Sequence, residues 1–182
     1  MRIKAHKFKY FSFKLANMYN IYLFIYNFKK QFSENMTIFW INVASTWFMV
    51  GLIWLIQLVH YPLFSYVGSK EFRIFHENHK IFITPVVGIV MIVELVTSGI
   101  IIFQIPNGIP NWTAIVGIIL LGVIWFSTLK YQIPYHNKLS SRFDENVLMM
   151  LIKTNWIRTI CWSLRGIIVL IMLDILIKKY NL

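Results

Sequence analysis

Hydrophobic positions fall in four dense blocks, Ile38–Val59, Ile81–Ile105, Trp112–Leu129 and Thr159–Ile177. Each holds 18 to 25 residues, and roughly 20 helical residues cross the hydrocarbon core of a bilayer. The first and third blocks contain no charged side chain. A surface helix of a soluble protein would alternate an apolar stripe with a polar face, and these blocks do not. The pattern predicts an all-α fold, a bundle of four transmembrane helices.

The connections have their own signals. Pro106 and Pro110 frame Asn107-Gly108, a breaker-rich turn that makes spans two and three an antiparallel hairpin. Ser69 is placed to cap a helix through Lys70–Ile83, and Asp144 to cap one that runs through Asn155 into span four. Thr84-Pro85 and Pro134 are expected to kink or restart their helices.

Polar residues inside the blocks repeat at helical spacing. Asn42, Thr46, Gln57 and His60 share an arc of span one; Gly117, Trp125, Thr128, Gln132 and His136 share one of span three; Asn155, Arg158, Trp162 and Arg165 share one of span four. Polar groups in lipid are costly unless they face the bundle interior, so these arcs are expected to face one another. Trp40, Trp47, Trp54 and Tyr61 form a separate stripe suited to packing or lipid contact. Gly88, Gly99, Gly117, Gly122 and Gly166 are expected to allow close helix approach. Glu94 and Arg165 stand near the middles of spans two and four. A charge there costs about 2.5–3.5 kcal/mol on the lenient insertion scale, which favours a structural Glu94–Arg165 ion pair. Asp174 is better matched to Lys178, four residues on.

Composition supports the membrane assignment. Only 14% of residues are charged, against about 25% in soluble domains. The net charge of +11 does not indicate nucleic acid, because little chain remains for a soluble basic surface. Most cations flank the spans, where they meet lipid headgroups. The partners expected are the lipid bilayer and a lipophilic small molecule, and the location is an integral membrane, the plasma membrane by default. Residues 36–182 read as one domain. Residues 1–35 form a basic, aromatic leader with seven Lys and Arg in its first thirty positions. It is either an interfacial amphipathic helix or sequence upstream of a start at Met36. The lone Cys161 has no disulfide partner in the chain and reads as a buried thiol.

Histidines gather at one membrane side. His60 ends span one, His76 and His79 precede span two at helical i,i+3 spacing, and His136 follows span three. Such a pair can share a transition metal, and bis-histidine haem ligation is conceivable, although no cofactor motif is present. The bland alternative is histidines that bond backbone or headgroups.

Three segments resemble the anthrone-oxygenase-like family of small four-helix membrane proteins. They are Pro62-Leu63 closing span one, Pro134 to Leu139 after span three, and Asn155, Arg158 and Thr159 entering span four. The resemblance covers about residues 38–177. It implies a four-helix bundle and, for characterised relatives, oxygenation of a polycyclic anthrone to a quinone. His136 departs from it, standing where the family has Asn, and the motifs are short, so fold transfers more safely than activity.

Two functions follow. One is an oxidoreductase or oxygenase for a lipophilic aromatic or quinone-like substrate. His136, His60 and Arg158 would be catalytic there, and Gln132, Asn155 and Trp162 would bind substrate. The other is a non-enzymatic scaffold or partner subunit whose intramembrane polar groups only fix helix packing. A transporter ranks below both, because the centres of spans one and three are apolar.

Overall fold

In a computed structural model, the four apolar blocks become the centres of four longer helices, α1 (Met36–Tyr66), α2 (Phe72–Phe103), α3 (Asn111–Ser141) and α4 (Glu145–Tyr180). The structure describes residues 36–180 together with Asn20 and Leu23. The two readings of the leader therefore concern residues that lie, but for those two, outside the described ones. Among the described residues there is no strand. The shortest helices have 31 residues and are about 46 Å long at 1.5 Å per residue. They exceed the roughly 30 Å of hydrocarbon. All four are apolar enough to cross a membrane, and the chain is a multi-pass membrane protein.

The helices outrun the predicted spans because the prolines do not stop them. α2 passes unbroken through Pro85. Pro62 and Pro134 each follow a wide π-helical turn, Ile56–His60 in α1 and Thr128–Gln132 in α3. A π turn loosens the backbone ladder just where proline lacks an N–H and crowds the carbonyl before it. The proline is accommodated, and the helix goes on.

The first π turn also corrects the aromatic stripe. Trp40, Trp47 and Trp54 stay on the outer face, 38–45% exposed, whereas Tyr61 is 3% exposed. The additional residue in the turn rotates the chain beyond it, and Tyr61 swings from the lipid side into the bundle.

Two expectations at the connections differ in outcome. Asp144 caps α4, its Oδ1 accepting the Val147 N–H at 3.1 Å. Ser69 does not cap α2, which starts after Glu71 with no side-chain cap. The hairpin turn closes with the Ile109 N–H donating to the Pro106 carbonyl at 3.1 Å, and Gly108 takes a positive φ of 96° that suits glycine. Of the glycines expected at close approaches, Gly166 meets Val50 and Trp47, and Gly117 meets Arg165. A Cβ at Gly88, Gly99 or Gly122 would touch nothing within 4 Å, so those positions are not helix contacts.

α4 is the most buried helix and α3 among the most lipid-exposed. Packing is layered. Towards the 104–110 turn lies a polar layer around Glu94. An apolar layer of Met49, Ile53, Met91, Leu121, Ile124 and Trp162 follows, with the buried Cys161 at its edge. Beyond it come the histidines, set against Phe64, Phe72, Leu139 and Leu148. Lipid tails are as apolar as these side chains, so burial alone does not hold helices together here. Close packing and interhelical polar contacts do.

Candidate functional site

Two groups of buried polar side chains stand at different depths. The first is built on Glu94 of α2. Its Oε1 accepts from Arg165 Nε of α4 at 2.9 Å and from Thr46 Oγ1 of α1 at 2.8 Å. Its Oε2 accepts from Trp162 Nε1 at 2.9 Å. Arg165 completes its donors on the Gly117 carbonyl of α3 and on Ser98 Oγ at 3.0 Å. Asn42 adds bonds to Thr97 and Ser98 at 2.8 and 2.9 Å. Glu94 and Arg165 are 0% and 2% exposed. Their charges oppose each other, every helix contributes, and the carboxylate's two oxygens carry three donors. Asp174 pairs with Lys178 at 2.7 Å, on the outside.

The second group contains the four expected histidines, at the ends of α1 and α3 and the start of α2. They meet as two pairs. His60 Nε2 lies 2.8 Å from His79 Nδ1. His76 Nε2 lies 3.0 Å from His136 Nδ1. His136 Nε2 reaches the Tyr61 hydroxyl at 3.0 Å, and His76 Nδ1 reaches Ser140 Oγ at 3.3 Å. Phe64 packs edge-on against His60, His76 and His79, and Phe72 stacks on His76.

This arrangement does not fit the metal or haem expectation for His76 and His79. A metal needs lone pairs that converge on one point. Here each pair of ring nitrogens faces each other at hydrogen-bond distance, with one proton between them. Among the described residues, no group of three or more His, Cys, Asp or Glu is arranged to hold a metal ion. Haem ligation needs imidazoles on opposite faces of a macrocycle, and these rings meet directly.

A cavity of about 230 Å³ opens beside the histidines, between α2 and α3. Tyr61, His79, Gln132, His136 and Arg158 form its polar side. Val87, Met91, Trp125 and Leu129 are among its apolar walls, and Gly88 leaves room in its floor. At the lip, Leu129 and Ile133 are 59% and 46% exposed on the lipid-facing surface.

Arg158 is the charged group of this cavity. It is buried, its Nη1 donates to Asn155 Oδ1 at 3.2 Å, and its guanidinium lies 5.1 Å from the Trp162 ring centroid. It also contacts the Tyr61 hydroxyl. Among the described residues, its Nε has no hydrogen-bond partner, and neither does the buried Trp125 Nε1. In a low-dielectric setting, an unsatisfied donor costs roughly 1–3 kcal/mol and more when charged.

The expected site residues therefore separate. His136, Arg158 and Gln132 line the cavity. His60 stands behind His79. Asn155 is fully buried, donates to Gln57 Oε1 at 2.8 Å and accepts from Arg158. Trp162 bonds Glu94 and underlies Arg158. The last two hold the arginine rather than face the opening. His79, expected among the histidines, lines the opening too, and Tyr61 and Trp125 line it without having been marked for the site. Trp125 had the arc as its signal, and Tyr61 was hidden by the π turn.

No protein-family model, curated protein or solved structure matches the chain.

Proposed function

We propose that this cavity binds a lipophilic aromatic molecule through a phenolic or quinone-like oxygen, and that the protein acts on it as an oxidoreductase. The observation that carries the proposal is the pair of buried, unpartnered donors, Arg158 Nε and Trp125 Nε1, on side chains that line one apolar cavity. Ligand oxygens that accept from these donors would satisfy them. Among the described residues, Arg158 has no carboxylate within ion-pair distance, so an oxygen that gains negative charge suits it best.

Size narrows the ligand. A cavity of about 150 Å³ takes benzene, so about 230 Å³ takes one substituted ring. The remainder of a larger molecule would pass between Leu129 and Ile133 into lipid. The resemblance to anthrone oxygenases suggests the reaction class. His136 as general base, acting through the Tyr61 hydroxyl at its Nε2, removes a proton from the ring system, and Arg158 holds the resulting oxyanion. The electron-rich anion is oxidised by dioxygen. A ring methylene becomes a carbonyl, one oxygen atom enters it, and the other leaves as water.

A scaffold role has one observation in its favour: the Glu94 network is fully paired and needs no ligand. One titration decides between the two. A decyl-substituted benzoquinone and its quinol are added to the protein in nanodiscs, and binding is read from tryptophan quenching and the shift in Tm. Binding that is lost in Gly88→Leu, at a lining position where an added Cβ meets nothing within 4 Å, supports the cavity. Oxygen uptake with a phenolic or anthrone substrate then tests catalysis. Absence of binding, or equal binding by Gly88→Leu and Arg158→Met, leaves the scaffold.

A further inference from the structure

We infer that Tyr61, His136, His76 and Ser140 form a proton relay joining the cavity to the water-facing end of the bundle, the Glu77 edge of α2. Tyr61 and His136 line the cavity, and His76 and Ser140 do not. The chain has three links: Tyr61 Oη to His136 Nε2 at 3.0 Å, His136 Nδ1 to His76 Nε2 at 3.0 Å, and His76 Nδ1 to Ser140 Oγ at 3.3 Å. Ser140 is half-buried and stands beside the Glu77 carboxylate, whose side chain is 42% exposed and paired with Lys80 at 3.2 Å.

Two proton arrangements satisfy every group in the chain. In the outward one, Tyr61 O–H donates to His136 Nε2, His136 Nδ1–H donates to His76 Nε2, and His76 Nδ1–H donates to Ser140. Ser140 then donates to the His136 carbonyl at 3.0 Å. In the inward one each donor reverses. Ser140 donates to His76 Nδ1, His76 Nε2–H to His136 Nδ1, and His136 Nε2–H to Tyr61. The Tyr61 proton then goes to Gln132 Oε1 at 3.3 Å. Gln132 is held for this role, because its amide N–H donates to Thr154 Oγ1 at 3.0 Å, whose own proton is spent on the Met150 carbonyl. That fixes which amide atom faces Tyr61.

The proton count balances. Starting from the outward arrangement, a proton released by a bound phenol adds to the Tyr61 oxygen. The Tyr61 proton moves to His136 Nε2, the His136 Nδ1 proton to His76 Nε2, and the His76 Nδ1 proton to Ser140. The original Ser140 proton leaves through Glu77 to water. One proton enters and one leaves. Both imidazoles are neutral before and after, and the chain ends in the inward arrangement. Rotation of the hydroxyls and transfer of each ring proton from Nε2 back to Nδ1 by a path other than the chain reset it, because protons returning along the chain would carry one back to the cavity. A second feature points to conduction rather than mere packing. His60 and His79 make the same kind of contact, yet they reach neither Ser140 nor Glu77 through any hydrogen bond among the described residues. Among the described residues, only the His76–His136 pair runs from a cavity hydroxyl to Ser140 through hydrogen bonds.

The relay rests on the cavity being the ligand site, and the experiment separates the two ideas. The full chain, labelled with ¹⁵N-histidine, is placed in nanodiscs without ligand. Because one proton lies between His76 Nε2 and His136 Nδ1, the two rings must carry matched tautomers, both Nδ1–H or both Nε2–H. Unlike tautomers, or a doubly protonated ring in this pair at neutral pH, overturn the relay whether or not any ligand binds. An alkyl nitrophenol is then the probe. Its absorbance reports phenolate formation, and a pH dye in the medium reports the released proton. His76→Phe and, as a smaller change, Ser140→Ala should slow proton release by about a hundredfold, the low end of what a positioned proton carrier contributes. Affinity for the probe should stay within about twofold, since neither residue lines the cavity. A probe that fails to bind the wild type removes the ligand site and leaves the tautomers to decide the relay. Binding with undiminished release in both variants overturns the relay and spares the site.

Discussion

The Glu94 layer and the histidine layer are made of similar materials and differ in how completely they are paired. Around Glu94 each charge has its opposite, each donor its acceptor, and the adjoining void is about 20 Å³, room for a single water. Around Arg158 a guanidinium lacks a carboxylate, two buried donors lack acceptors, and the void is about 230 Å³. In lipid the alternative to a partner is hydrocarbon. Full pairing therefore marks architecture, and incomplete pairing around a space is the contrast on which the proposed ligand site rests. Trp162 ties the two layers, with its N–H on Glu94 and its ring against Arg158.

The largest expected effect lies in the Glu94 layer. Glu94→Gln or Arg165→Gln strands a buried charge and should destabilise the bundle by about 3–5 kcal/mol, measured by unfolding in mixed micelles. The double variant should lose markedly less than the sum of the singles. Additive losses would break the comparison, because they would mean the pair is not coupled.

Trp162→Phe comes next. It removes one of three donors to the carboxylate and should cost about 1–3 kcal/mol. If the loss is confined to stability, Trp162 serves only the paired layer. A parallel loss of quinone affinity would show that it also sets the pose of Arg158.

Arg158→Met should have the opposite profile. The bond to Asn155 and the contact with Tyr61 are lost, but a lone buried charge goes with them, so stability should change by less than about 1 kcal/mol while ligand affinity falls about tenfold or more. A stability loss as large as that of Arg165→Gln would erase the distinction between the layers. The smallest effect is expected outside both. Trp54 Nε1 donates to Ser163 at 3.0 Å on the exposed face, and Trp54→Phe should cost about 0.6 kcal/mol, typical of interhelical bonds in membranes.

Much of this was legible in the sequence. Block length gave the spans, the Asn107-Gly108 signal gave the hairpin turn, and Asp144 gave the cap of α4. The arcs placed Thr46, Trp162 and Arg165 where Glu94 could be satisfied, since α2 and α4 keep regular periodicity through that depth. At the histidine end periodicity fails. Each π turn adds a residue before a proline, and the face of every later position shifts. Regular spacing thereby keeps Tyr61 on the stripe of Trp40, Trp47 and Trp54, and it places a kink or restart at Pro134 where the helix goes on. Which polar side chains face the cavity and which brace Arg158 depends on contacts between helices that no single-helix spacing encodes. Asn155 and Trp162 show this: both lie on the right arc and both support from behind.

The lip formed by Leu129 and Ile133 has a bearing on dose. A visitor to the proposed site would travel sideways out of the membrane, so its supply would be counted per lipid and not per litre. A ten-carbon tail favours the bilayer by about 8 kcal/mol at roughly 0.8 kcal/mol per methylene, close to a millionfold enrichment. Occupancy should then follow the ratio of visitor to phospholipid, and doubling the vesicles at fixed total compound should roughly halve it.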